Sequence, residues 1–201
     1  MYAQITDGAI AATGTLKQLF PNTSFPGGIA DSDFKTENGL QDVVLGDQKD
    51  RKYYFVNQGE ITLAGGVATQ EFTNTAMAIE DVDAVDSDGN QLYVQVWDAD
   101  FDNGEGAPAG KMVDTSEKLI TRGLKYTFKN QIKEQANSAL APTDWMVIRL
   151  AEREVAIPDA TVTYRAAVIT EYGRLKTAIT GAADVDALAV VMGAQNWPDA
   201  V

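Results

Sequence analysis

Carboxylates are the groups most able to do chemistry in this sequence. Asp98-Ala-Asp-Phe-Asp-Asn-Gly104 sets acids at alternate positions, a spacing that can converge on a hard cation such as calcium. The match to a calcium loop fails in detail: its sixth position, where a glycine is needed, is Asn103, and its twelfth, where a bidentate glutamate belongs, is Ala109. A second acidic run, Asp81-Val-Asp-Ala-Val-Asp-Ser-Asp88, is explained in part by Asp86-Ser-Asp-Gly-Asn90, which reads as a hairpin turn. Paired carboxylates could also hydrolyse a glycosidic bond. Acids are so frequent here that any one pair carries no information. Asn103-Gly-Glu-Gly106 lacks the lysine and the strand-then-helix setting of a phosphate loop. Histidine and cysteine are both absent, which removes Ser-His, Cys-His and His-zinc chemistry together. The sequence therefore assigns no catalytic residue, no metal ligand and no cofactor, and a non-enzymatic role is expected.

The charge of the 201-residue chain, −13, is placed unevenly. No basic residue lies between Lys52 and Lys111, a stretch that holds acids from Glu60 to Glu105. Such a segment repels phosphate backbones, so a nucleic-acid partner is not expected. Basic residues gather in the C-terminal half, mixed with acids as on solvated helix faces. No apolar run reaches the roughly 18 residues of a membrane span, and the start lacks the pattern of a secretory signal. The expectation is a soluble protein made in the cytoplasm, with no membrane partner.

The elements that would position these residues are of two kinds. Asp7-Gly8, flanked by Tyr2-Ala-Gln-Ile-Thr6 and Ala9-Ile-Ala-Ala-Thr13, predicts a tight hairpin. Leu16–Phe20 predicts one helical turn, and Pro21-Asn-Thr-Ser-Phe-Pro-Gly-Gly28 a defined loop anchored by Phe25. Tyr53–Val56, Glu60–Leu63, Val67–Phe72 and Leu92–Trp97 read as short strands of an antiparallel meander, with turns at Asn57-Gln-Gly59 and Asp88-Gly-Asn90. Phe101–Lys111 reads as an exposed loop.

After Ser116 the apolar period changes to about 3.6. Leu119, Leu124, Phe128, Ile132, Ala136 and Leu140 predict a helix that breaks at Pro142. Thr143 and Asp144 then cap a short helix to about Glu152, with Trp145, Ile148 and Ile157 as core and with Arg149 or Arg165 pairing with Asp144. Pro158 opens the next helix through Tyr164 and Arg165. Val168, Tyr172, Leu175 and Ile179 form its seam, packed within a helical hairpin or against a partner. Asp184 starts a last short helix, and Trp197-Pro198 closes the chain as a further candidate contact. The fold class is α+β: a β-rich region over residues 1–115 with hairpin and meander, then a helical module over 116–201.

One set of these residues carries a resemblance. Leu140-Ala-Pro-Thr-Asp-Trp-Met-Val-Ile-Arg149, Glu152, Ile157-Pro158, Tyr164-Arg165 and the seam ending in Trp197-Pro198 resemble the C-terminal helical module of tailed-bacteriophage tail fibre, tail fibre assembly and other tail proteins. Met1-Tyr-Ala with Asp7-Gly8-Ala9, and Pro21-Asn-Thr-Ser-Phe-Pro26, are similar to the N-terminal portion that accompanies it. The acidic stretch Tyr53–Lys111 departs from shorter members, which pass through a brief Pro-rich connection. The resemblance implies a virion component at the fibre, the baseplate or a peripheral attachment. Its partners would be other tail proteins, in a homo- or hetero-oligomer. An assembly chaperone that leaves before the virion is complete is the alternative. A glycan- or receptor-binding tip that stacks sugars on Tyr93 and Trp97 is a third reading. The module brings no catalytic residues with it.

Overall fold

The computed structural model describes residues 1–101 and 110–200. It is an α+β protein, strands first and helices last, in two compact units, Met1–Ala76 and Met77–Val201.

In the first unit, β1 (Tyr2–Thr6) and β2 (Ala9–Gly14) pair antiparallel around Asp7 and Gly8, both at positive φ, as a two-residue hairpin requires. Thr15 caps α1 (Leu16–Leu19) with a reciprocal capping box to Gln18. Asp31 caps α2 (Ser32–Glu37), and β3 (Leu40–Asp42) joins β1 to complete the order β2-β1-β3. Leu16, Ala30 and Leu40 form the core beneath. Phe25 is the anchor of its loop: it meets Phe34 edge-on at 5.1 Å, and Phe34 meets Phe20 at 4.9 Å.

The second sheet of this unit corrects the expected meander. β5 (Tyr54–Ala64) is one long strand, antiparallel to β6 (Val67–Ala76) across a Gly65-Gly66 turn at positive φ. Asn57-Gln-Gly59, expected to turn the chain, lies inside β5 at a bulge where the register slips between Gln58 and Ile61. Glycine inside a strand is tolerated at such a point. The buried Gln70 amide fills the irregularity, donating to Gly59 O at 2.7 Å and accepting from Gln58 at 2.8 Å. The short β4 (Val44–Leu45) pairs parallel with β6, so the sheet is not purely antiparallel.

The second unit begins with β7 (Val82–Asp83), β8 (Tyr93–Asp98), β9 (Lys111–Lys118) and β10 (Ile120–Thr121), paired as two ribbons, β7–β10 and β8–β9. The Asp86–Asn90 turn forms as expected. The Asp86 carboxylate accepts from the backbone N–H groups of Asp88 and Asn90 and from the Asn90 side chain, which holds it below its ordinary acidity value. Three helices follow: α3 (Leu124–Arg153), α4 (Asp159–Gly181) and α5 (Val185–Gly193). Helix α3 packs on α4, and α4 on α5. Phe128 and Ile132 of α3, Val168, Leu175 and Ile179 of α4 and Leu188 of α5 are closed off from solvent.

Three helical expectations change. Leu119 is not helical: its N–H donates to Leu92 O and its carbonyl accepts from Ala84 N, closing the small strands together. The helix starts five residues later, because Gly123 and the segment before it form its N-terminal cap. Pro142 does not break the helix either. It sits inside the continuous α3, and Thr143 is an interior residue rather than a cap. The two compact units divide between Ala76 and Met77. The reason is local, since residues 78–81 satisfy the first N–H groups of α3. Ala78 O accepts from Leu124 N, Ile79 O from Lys125 N, and the Asp81 carboxylate from Gly123 N.

Candidate interaction site on the helical hairpin

A proline inside a helix withholds an N–H from the carbonyl four residues back and wedges the turn open. Pro142 withholds its N–H from Ser138 O, and α4 braces the two carbonyls that follow in the same turn. The Tyr164 hydroxyl donates to Ala139 O at 3.0 Å. One guanidinium nitrogen of Arg165, Nη1, donates to Leu140 O at 3.0 Å, to Thr143 Oγ1 at 2.6 Å and to Asp144 Oδ1 at 2.9 Å. Thr143 Oγ1, buried, donates in turn to Leu140 O at 2.8 Å. Thr143, Asp144 and Arg165 are thus one network, and with Tyr164 on the neighbouring carbonyl the four signature residues form a clasp over the proline turn. Pro158 precedes α4 as its N-cap, with Asp159 in the first turn near the positive end of the helix dipole.

Trp145 and Arg149 lie outside the clasp: Arg165 is the one of the two arginines that pairs with Asp144, and the expected core place of Trp145 is corrected. Trp145 is 51% exposed and Ile148 57% exposed, so neither is core. Asp144 pairs with Arg165, while Arg149 stacks its guanidinium over the Trp145 ring at 4.8 Å. Ile157 is half-buried. Of residues 144–160, all of them described, none is buried, although the stretch holds Trp145, Ile148, Leu150 and Val155. Sequence reasoning missed this surface. Its signal was Trp-Met-Val-Ile-Arg-Leu150, a run too apolar all round for a helix with only one covered face.

The seam residues are used inside the chain. Val168, Leu175 and Ile179 are closed off and Tyr172 is half-buried, so the intramolecular hairpin takes them and no partner can. Trp197 is likewise half-buried, packed on the cluster of Ala136, Tyr164 and Val168 with its indole N–H donating to Gln195.

A second lock, unforeseen from the sequence, holds this C-terminal turn. The buried Glu171 carboxylate accepts two hydrogen bonds from Arg174 at 2.6 Å and one from Asn196 N at 2.7 Å, and Arg174 also donates to Ala194 O. The Arg174 hydrogen bonds, aided by the Asn196 N–H, hold Glu171 below its ordinary value of 4.5. A lowered folded value means the stabilisation is present above the unfolded value and is lost as pH falls through the folded one. Thermal stability should therefore drop with acidification below about pH 4.5, and Glu171→Gln should flatten that part of the profile. Parallel profiles would show that Glu171 does not contribute the dependence.

Comparison with protein-family models, with curated proteins and with solved structures finds no match. The geometry therefore speaks alone. Trp97, raised above as a stacking surface, is 63% exposed on the β8–β9 ribbon with its ring edge against Gly110, and Val96 beside it is also exposed. Neither face of β8 is buried, because a two-stranded ribbon has no second layer to cover it. The calcium reading of Asp98–Gly104 falls largely on residues 102–109, outside the described residues. Among the described residues no cluster of carboxylates has metal-site geometry.

Proposed function

We propose that the chain is a non-enzymatic structural component of a bacteriophage tail, at the fibre, baseplate or a peripheral attachment, that acts through protein–protein contacts made by its helical hairpin. One observation carries this reading. The residues that resemble the tail-protein module, Thr143, Asp144, Tyr164 and Arg165, hold in place an apolar helix end left uncovered by the chain itself. A module repeated among tail proteins for contact would keep such a clasp and spend no residues on catalysis. The strongly acidic composition agrees with a protein partner over a nucleic acid.

Quantitative mass spectrometry of purified virions from the encoding genome tests it. The expected result is peptides of this chain at a fixed ratio to other tail proteins. Their absence from mature particles, with presence in assembly intermediates, would overturn the virion role in favour of an assembly chaperone.

A further inference from the structure

We propose that residues 194–200 form a strap that sets the order of the exposed end of α3: undocking the strap loosens the clasp and lets the turns past Thr143 open. The inference concerns the chain's own helices and stands apart from a place in a tail.

The strap has no regular structure, and α4 holds it through a few side chains. Arg174 donates to Ala194 O at 2.8 Å, and Asn196 N donates to the buried Glu171 carboxylate at 2.7 Å. Trp197 adds an apolar grip, half-buried on the cluster of Ala136, Tyr164 and Val168. The Gln195 side chain bonds locally, to Met192 O and to the Trp197 indole. A terminal segment tied down in this way belongs to the low-stability end of a structure.

Strap and clasp meet on the same cluster. Ala139 and Leu140 pack against it from α3, as Trp197 does from the strap. The carbonyls of these two residues are the ones the clasp holds, Ala139 O through the Tyr164 hydroxyl and Leu140 O through Arg165. Tyr164 is itself part of the cluster and only 8% exposed. With Trp197 gone, the ring that aims the Tyr164 hydroxyl loses packing, and water competes for Ala139 O. Arg165 is the next residue, so a shift of Tyr164 passes to the bonds with Leu140, Thr143 and Asp144.

The turns beyond are the ones that feel it. Past Thr143 no residue of α3 is buried, and a helical stretch shorter than about 12 residues is marginal by itself. The coupling is reciprocal: a strap that orders the helix end is held more firmly when that end is ordered.

Hydrogen–deuterium exchange of the full chain, resolved by residue, tests this. In Trp197→Ala the amides of residues 145–153 should exchange at least about fivefold faster. These turns exchange by local opening, which a loss of global stability alone leaves unchanged, whereas amides 128–136 report that global loss. Glu171→Gln, which weakens the lock and keeps the side chain's size, should act in the same direction. Arg165→Ala should speed exchange at Gln195, Asn196 and Trp197 by a similar factor. Helix-end amides that keep their rates in both strap variants, while 128–136 lose protection, would reduce Trp197 to packing and overturn the proposal. So would strap amides indifferent to Arg165→Ala, or helix-end and core amides that accelerate by one common factor.

Discussion

Gly123→Ala is expected to destabilise the helical unit by about 3–5 kcal/mol, a loss of about 10 °C or more in melting temperature. Conformational freedom is not the reason, since Gly123 has an ordinary extended backbone, φ −78°. The reason is space. A Cβ there would lie 2.3 Å from Glu80 O and 2.4 Å from Glu80 C, both backbone atoms that no rotamer change can move. To make room, residues 78–81 would have to leave the start of α3, and the bonds to Gly123, Leu124 and Lys125 would go with them. The Glu80–Lys125 ion pair, whose lysine is buried, sits in the same contact. Gly173 provides the control. It lies exposed in the interior of α4 with nothing within 4 Å of an added Cβ. Gly173→Ala should raise stability by about 0.5–1 kcal/mol. Equal effects from the two substitutions in chemical denaturation would refute the close packing at Gly123.

Arg165→Ala is expected to cost about 3 kcal/mol. Its side chain is only 18% exposed, and its removal strips a donor from Leu140 O, Thr143 Oγ1 and Asp144 at once. Two of those acceptors, Leu140 O and the buried Thr143 Oγ1, lie beside the proline in the same turn. Arg165→Lys should recover only part of the loss, since an ammonium lacks the planar reach of a guanidinium. Trp145→Ala, in contrast, should cost about 1 kcal/mol or less, because half of the ring already faces solvent. Denaturant melts of the three variants check the order. A larger cost for Trp145→Ala than for Arg165→Ala would return Trp145 to the core and undo the clasp.

What could be read from residues alone depended on how local the cause was. The Asp7-Gly8 hairpin, the Asp86–Asn90 turn, the Asp184 cap and the Val168-to-Ile179 seam follow from turn chemistry and period, and each stands where it was expected. The errors share a different cause. Asn57-Gln-Gly59 looks like a turn unless the Gln70 amide that fills the bulge from the opposite strand is known. Pro142 looks like a break unless Tyr164 and Arg165, more than twenty residues on, are known to hold the turn. Leu119 fits the helical period, yet Asp81 and Gly123 fix the start of the helix elsewhere. At the site, the residues of the signature were visible but their division was not. Four make the clasp, whereas Trp145 and Arg149 belong to the surface it supports.

That division bears on how the long helix behaves in time. Helix α3 is one rod in shape but two segments in cooperativity. Phe128, Ile132 and Ala136 lock its first half into the core, so that part opens only when the whole unit unfolds. Past Thr143 no side chain of the helix is buried, so the final turns can fray and re-form while the core stays closed. The protein thus carries an exposed apolar helix end whose order can change without risk to the fold that presents it.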